Sequence, residues 1–237
     1  MTEFPLAGLS PASRVTVLAP HPDDEALGVG GLIQQALAQG AMVRVVLLTD
    51  GDNNPWPQRF AERRLRIDAV GRRRLGAQRR EEAMRSLATL GVGAHETVCL
   101  GFPDAALLPL WKKRDPAVLA ALVNEFTGAP PGVLVTPSEQ DRHPDHRAAF
   151  ALAAEALHRA GQTPAMWLTY LIHRPWLRRW AALRGVAVRL TPEQRETKLR
   201  AILCHETQMK LSRRRFTSFA KPAEVFVPVP PPAAARA

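Results

Sequence analysis

The hydrophobic positions of this chain fall into short runs separated by longer segments of mixed character. "RVTVLAP" (14–20), "MVRVVLLTD" (42–50), "ETVCLGF" (96–102) and "GVLVTP" (132–137) are rich in valine and leucine and mostly lack a polar alternate position. Runs of that kind predict strands covered on both faces of a sheet. "AMWLTYLI" (165–172) and "VAVRL" (186–190) extend the series. Between the runs, Glu25–Gln39 carries a helical apolar period that stops at Gly40, and Ala77–Leu90 carries another that stops at Gly91. Glycine just beyond the last turn is the expected terminator. Asp115 precedes a helix predicted over Pro116–Phe126, and Thr191 with Pro192 begins the last helix of the series. Both are N-caps with proline in the first helical position. Strands alternating with helices predict right-handed crossovers and a Rossmann-like, open, mostly parallel α/β sheet with helices on both faces.

Two regions break the alternation. "DGDNNPWPQRF" (50–60) is rich in turn formers and runs into the arginine-rich "RRLRIDAVGRRRLGAQRR" (63–80). Together they predict a small insertion lobe, about residues 52–76, over one end of the sheet. The proline-rich "VFVPVPPPAAARA" (225–237) predicts an extended or disordered tail, counted from about residue 221. With no internal repeat or linker, residues 1–237 read as one domain whose core spans about 14–209.

Composition changes this picture little. An apolar fraction of 46% and a charged fraction of 23% fit a globular chain, and no apolar run approaches the ~18 residues of a spanning helix. "MTEFPLAGLSPASR" has no basic segment leading into a hydrophobic one, so no secretory signal is read. Cys99 and Cys204 are the only cysteines; they are expected to pack in the core of a protein from a reducing compartment, with a cytoplasmic setting as the default. The net charge of +10 is mostly arginine, bunched at 63–80, Lys112–Arg114, Arg174–Arg179 and Arg213–Arg215. That leaves open a solvated surface or an anionic partner.

The chemistry concentrates at two strand ends, where open α/β sheets collect functional groups. "PHPDDEALGVGG" follows the first run and "DRHPDHRAA" the fourth. His21 and Asp24 lie three residues apart entering a helix, and His143 and His146 repeat the offset, so each pair points to one side. If the two strand ends are neighbours, His21, Asp24 and His146 supply three nitrogen and oxygen ligands, the set of a catalytic zinc site with an open position. Asp23 is then placed to take a proton from water made acidic by the cation. His143, when protonated, can stabilise an oxyanion or protonate a leaving group, and Asp145 can orient or charge-stabilise one of the histidines. These roles make up metal-assisted hydrolysis of an amide or ester. The competing reading of each motif alone is a helix cap beside a satisfied polar histidine.

"PHPDDEALGVGG", "VVLLTDGD" and "HPDHRAA" closely resemble the LmbE-like (PIG-L) family of zinc-dependent sugar de-N-acetylases. Weaker landmarks are "RREEAMRSLATLGV" (79–92), "LGFPDAAL" (100–107) and "KLRAILCHETQM" (198–209), so the resemblance runs from about Val15 to Met209. It implies that His21, Asp24 and His146 hold Zn2+, that Asp23 is the general base, and that His143, tuned by Asp145, is the electrophilic or acid partner. It also implies that Arg79 and Asp104 contact substrate hydroxyls. The implied reaction removes the acetyl group of an N-acetylglucosamine-type glycan or glycolipid, releasing acetate and a free amine. His205 and Gln208 are read as structural support. The insertion and the arginine run depart from the family pattern and suggest an anionic or membrane-associated substrate, with peripheral contact at an inner membrane face. A zinc-dependent amide or ester hydrolase on a non-sugar substrate is the alternative. A nucleic-acid-binding α/β protein is a distant one, since no recognition helix or aromatic platform stands out.

The remaining features have structural readings. "GVGG" (28–31) lacks the full dinucleotide spacing and suits close helix–sheet packing. Asp50 and Asp52 either line the site or shape a turn. Trp111, Trp167, Trp176 and Trp180 are expected to pack, whereas Trp56, in its loop, is the candidate for contacting substrate.

Overall fold

The structure, a computed structural model, describes residues 2–3, 9–53, 56, 58–59, 63, 66–173 and 185–230. In chain order the elements are β1 (Thr2–Glu3), β2 (Arg14–Ala19), α1 (Asp24–Ala38), β3 (Met42–Thr49), α2 (Ala69–Leu90) and β4 (Thr97–Phe102). There follow α3 (Leu107–Lys112), α4 (Pro116–Gly128), β5 (Val133–Pro137), α5 (Pro144–Ala160) and β6 (Met166–Tyr170). The chain closes with β7 (Val186–Arg189), α6 (Pro192–Leu203), α7 (Glu206–Thr217) and β8 (Ala223–Pro228). The strands form one eight-stranded sheet in the order β1-β7-β8-β6-β5-β2-β3-β4. Every pairing is parallel except those of β8, which runs antiparallel to β6 and β7.

The missing polar positions in the apolar runs have a direct cause. Val15, Val17, Val43, Val45, Leu47 and Val135 face one core, closed by Leu32 and Ile33 of α1, Leu87 of α2 and Ile202 of α6. Leu18, Val46, Leu48 and Leu134 face a second core, closed by Leu107 of α3, Leu122 and Phe126 of α4 and Leu152 of α5. Both sheet faces are covered, so both sets of alternate residues must be apolar. β4 is an edge strand, and there the pattern loosens: Cys99 is exposed, which corrects the expectation that it packs in the core. Cys204 is half-buried at the end of α6.

The helix carrying the arginine run begins at Ala69, eight residues before the predicted start, with the Asp68 carboxylate accepting from Gly71 N at 2.7 Å. The inward face of α2 carries Gly71, Gly76, Arg79, Glu82 and Ser86 as well as leucines, which hides its apolar period. The last eight residues of the expected 52–76 insertion, 69–76, are therefore ordinary helix. α7 also follows the helix begun by Thr191, which is not the last.

The greatest departure is the tail. Residues 223–228 form β8, a strand held between β7 and β6, with Phe226 fully buried. Proline disguises it in the sequence, yet Pro222 and Pro228 stand before and at the end of the strand, where a missing N–H matters least. Glu224 accepts from Gly31 N and Leu32 N of α1 at 2.7 and 2.9 Å and pairs with the buried Lys198, whose ammonium donates to Leu27 O at 2.9 Å. The "GVGG" segment fits the packing reading: a Cβ on Gly28 would lie 2.5 Å from the Tyr170 ring, and one on Gly31 2.6 Å from Leu190.

No helix among the described residues is long and apolar enough to cross a membrane. Trp176, Trp180, the Arg174–Arg179 cluster and residues 231–237 of the tail lie outside the described residues.

Phe226→Ala and Glu224→Ala test the strand assignment. Each is expected to cost about 3–5 kcal/mol of unfolding free energy in denaturant titrations, the first through a core cavity and the second by leaving Lys198 buried and unpaired. Midpoints like that of the parent protein would contradict a β8 built into the sheet.

Candidate active site

Strands β2 and β5 are neighbours, paired in parallel from Val15↔Val133 to Val17↔Val135. From β2 the chain moves outward to β3 and β4, and from β5 it moves the other way to β6. This is a topological switch point, where the loops leaving the carboxyl ends of adjacent strands part and open a crevice. The crevice holds a cavity of about 390 Å³. His21, Asp23 and Asp24 enter it from the β2 end, His143 from the β5 end, Asn53 and Asp104 from the β3 and β4 ends, and His173 from the β6 end. α7 and the residues after it supply the facing wall, with Gln208, Arg215, Phe216 and Phe219.

The two histidine–aspartate motifs meet here. Asp24 Oδ2 lies 3.2 Å from His21 Nδ1 and 3.2 Å from His146 Nε2, and also accepts from His21 N at 3.0 Å. The rings of His21, His143 and His146 are 4.7–5.4 Å apart. Burial opposes charge on these groups, but Asp24 is held well below the usual carboxylate range by His146 and His21. His146, against the same burial, is pushed up to about 9 by Asp24 and Asp141. His21 is likewise raised well above its ordinary value by Asp104, Asp145 and Asp24. Carboxylates thus outnumber the imidazoles they surround, and the pocket favours positive charge.

That environment fits a divalent cation. His21 Nε2 and His146 Nε2 are buried and make no well-aligned hydrogen bond. Nitrogens of His21, His143 and His146 lie within 4.8 Å of one another, as do ligand atoms of Asp141, His146 and His173, and of His21, Asp104 and Asp145. Buried imidazole nitrogens without partners, beside anionic oxygens, are donors that an ion such as zinc takes up.

Asp23 stands beside this cluster in an unusual backbone conformation, φ 143°. Burial pushes its carboxyl up to about 6, against the opposing pull of Arg79, with Asp24 adding to the rise. Arg79 is buried, donating to Asp23 Oδ2 at 2.9 Å, Pro22 O at 2.8 Å and Gly51 O at 2.7 Å. Its approach needs Gly51, whose φ of +63° and lack of a side chain leave room for the guanidinium. Arg79 therefore clamps the β2 and β3 loops around Asp23, a larger protein role than the substrate contact expected of it.

Asp145 also differs from expectation. The Asp145 carboxylate lies 3.6 Å from His21 Nε2, and Asp145 meets His143 through its backbone N–H, 3.2 Å from Nδ1. With Nδ1 accepting, the ring proton of His143 sits on Nε2. Burial, together with the neighbouring His21 and His146, lowers His143 to about 4, which favours a neutral ring donating from Nε2, the electrophilic of the two roles expected of it. Asp104 has Oδ1 3.2 Å from His21 Nε2 and accepts from Asn53 N at 3.1 Å. Although burial opposes it, the His21 contact pulls Asp104 down to about 2. Asp52 shapes the turn by accepting from Asp104 N at 3.2 Å, and Asp50 pairs with Arg80 at 3.3 Å. Trp56 is 68% exposed, lines the cavity, and has the Arg59 guanidinium 5.3 Å from its ring centroid.

A model of the PIG-L family, described as GlcNAc-PI de-N-acetylase, matches residues 16–157. The chain belongs to the PIG-L family. Within it, a diacetylchitobiose deacetylase of Thermococcus kodakarensis is 32% identical over 151 residues, covering 62% of this chain and 50% of the relative. A 1D-myo-inositol 2-acetamido-2-deoxy-alpha-D-glucopyranoside deacetylase of Rhodococcus opacus is 30% identical over 161 residues, covering 62% of this chain and 54% of the relative. The chain thus spans about half the length of the curated relatives it matches. Among solved structures, the conserved protein TT1542 of Thermus thermophilus superimposes with a TM-score of 0.68 at 25% identity, over 94% of this chain and 99% of that one.

For this PIG-L chain, sequence reasoning missed Asp141, His173 and Glu25. Asp141 is buried, with Oδ2 3.1 Å from His146 Nδ1 and accepting from Ile172 N and His173 N, each at 3.1 Å. Its Oδ1 accepts from His143 N at 2.8 Å. The signal was present in the "DRHPDH" stretch, where an acidic residue stands two positions before the first histidine. Asp141→Ala is expected to weaken any divalent ion held through His146 about 10–100-fold in chelator competition, because the ring loses the carboxylate that orients it. Unchanged affinity would show that Asp141 only ties the loops together.

Proposed function

We propose that the chain is a zinc-dependent hydrolase that removes the acetyl group of an N-acetylated amino sugar, releasing acetate and a free amine. The observation that carries this reading is the convergence of His21, Asp24 and His146 around one carboxylate oxygen, with Asp23 beside them in a cavity of a PIG-L chain. His21, Asp24 and His146 would hold the ion. Their nitrogen and oxygen donors, without sulfur, suit zinc. When bound, the ion supplies Lewis acidity, polarising the acetyl carbonyl and making a water acidic.

The protein's own groups divide the rest of the work. Asp23, poised near 6, accepts the proton of the attacking water at neutral pH. Arg79 fixes that carboxylate and leaves the other oxygen, Oδ1, to face the reaction. His143, neutral with its proton on Nε2, donates to the oxyanion that forms when water adds to the carbonyl carbon. As the carbon–nitrogen bond breaks, the proton held by Asp23 passes to the departing amine, and the base is restored.

The cavity also bears on the kind of sugar. Its lining is polar around the histidines, whereas Phe216 and Phe219 on the α7 side and Trp56 after β3 add apolar surface, suited to a group attached to the sugar. Arg215 lines the α7 side as well, is exposed, and makes no ion pair among the described residues. This supports an anionic substituent met from α7, since among the described arginines of the 63–80 run only Arg79 lines the cavity and its guanidinium is taken up by Asp23.

Acetate release from a panel of N-acetylated sugars, read beside metal content, tests the reaction. Asp23→Asn is expected to lower kcat about 10²–10⁴-fold with zinc still bound, whereas His146→Ala loses zinc and turnover together. Chelation removes activity and zinc restores it. Bound zinc with no acetate from any sugar would favour a non-sugar amide or ester substrate. Arg215→Ala is expected to raise KM about tenfold for a phosphorylated N-acetyl glycoside, the loss of ~1.4 kcal/mol, and to leave neutral glycosides unchanged. Equal effects on both would remove the anionic assignment.

A further inference from the structure

Asp23 is held in a backbone region that a residue with a side chain rarely adopts, φ 143°, ψ −27°. Such strain persists only where the surroundings over-determine it. On one side Arg79 grips Asp23 Oδ2 and Pro22 O. On the other, Asp23 N–H donates to Glu25 Oε2 at 2.9 Å. Glu25 is itself fully buried in the first turn of α1, and its second oxygen lies 3.0 Å from His205 Nε2 and accepts from Ser86 Oγ at 3.1 Å.

His205 stands at the start of α7, 180 positions from Glu25, and is also fully buried. The next turn is pinned from α2, where Glu82 accepts from Thr207 N at 3.0 Å and Thr207 Oγ1 at 2.6 Å. Three helices thus converge on one carboxylate behind Asp23. A carboxylate without charge-assisted donors would be costly at that depth, and its one contact toward the cavity is the Asp23 amide.

We propose that Glu25 and His205 are positioning residues for Asp23: the His205–Glu25 pair, braced by Ser86, holds the Asp23 backbone in its positive-φ conformation and so aims the carboxylate at the attacking water. The inference rests on Asp23 being the base and adds to that reading the device that orients it. Its effect falls on turnover. Neither residue lines the cavity, so substrate affinity is untouched, and the Glu25 carboxylate bonds to Asp23 N, Ser86 and His205 and not to His21, Asp24 or His146.

The test compares Glu25→Leu, Glu25→Gln and His205→Gln with the parent enzyme, measuring kcat and KM for acetate release, zinc affinity by chelator competition, and thermal unfolding. Glu25→Leu is expected to lower kcat about 100-fold, the cost of misplacing a reacting group by roughly an ångström, with KM within about threefold and zinc affinity unchanged. Glu25→Gln keeps an oxygen for the Asp23 N–H and is expected to recover to within about tenfold of the parent. His205 can accept from the new amide only by moving its own ring proton to Nδ1, which is buried without a partner, so the recovery stops short of the parent rate.

A Glu25→Leu enzyme that turns over like the parent overturns the proposal. So does one that loses zinc along with kcat, or a Glu25→Gln no better than Glu25→Leu. If Glu25→Leu does not fold, His205→Gln and Ser86→Ala decide. A kcat lowered about three- to tenfold at constant KM and zinc affinity supports the role, and an unchanged kcat overturns it. Asp23→Asn is the control: if it is active, the base assignment fails, whereas an inert Asp23→Asn beside a fully active Glu25→Leu removes only the positioning role.

Discussion

The parallel pairing of β2 with β5 is the constraint on which the rest of this structure depends. Strands that are distant in sequence lie side by side, Val15 against Val133, and their connections leave in opposite directions. Loops leaving such a pair cannot cover one another, so a crevice opens at their carboxyl ends. His21 and Asp24 reach it from one side and His146 from the other, and they meet because the register leaves both strands ending at one level. Apolar side chains on both sheet faces fix that register, since a slip by one residue would exchange the two cores.

A site so assembled is electrostatically expensive. Asp23, Asp24, Asp141 and Asp145 are buried close to one another, along with His21 and His146. Charges at that depth are tolerated when each is paired and hydrogen-bonded, and costly when one partner is lost. The fold meets the requirement with converging donors: Arg79 on Asp23, three backbone N–H groups on Asp141, and two imidazoles on Asp24. His21 Nε2 and His146 Nε2 remain without a hydrogen bond within a cluster whose ligand atoms lie close together, and a cation would complete the balance.

The legible parts of the sequence were those whose physics is local. Strands buried on both faces announce themselves as unbroken valine and leucine, and α1 and α4 as an apolar period with a recognisable start or stop. The two motifs were legible because each sits at a strand-to-helix junction with a fixed offset of three. What was hidden depends on partners far along the chain. β8 reads as a proline-rich tail, since its strand character comes from filling the space between β6 and β7. The early turns of α2 were missed because residues 69–76 bury two glycines and a single leucine, Gly71, Leu75 and Gly76, and turn Arg72–Arg74 outward, which leaves no apolar stripe. Nothing within "PHPDDE" reveals that Glu25 meets a histidine near residue 205, and only the fold makes that contact.

The account's central claim is that donors from both motifs hold one ion. X-ray absorption at the zinc edge of the fully loaded parent protein tests it most directly, because the scattering distinguishes imidazole and carboxylate neighbours from sulfur. The account predicts a nitrogen and oxygen shell with an imidazole signature that weakens on His21→Ala and on His146→Ala alike. A sulfur shell, or an imidazole signature indifferent to either substitution, would contradict it.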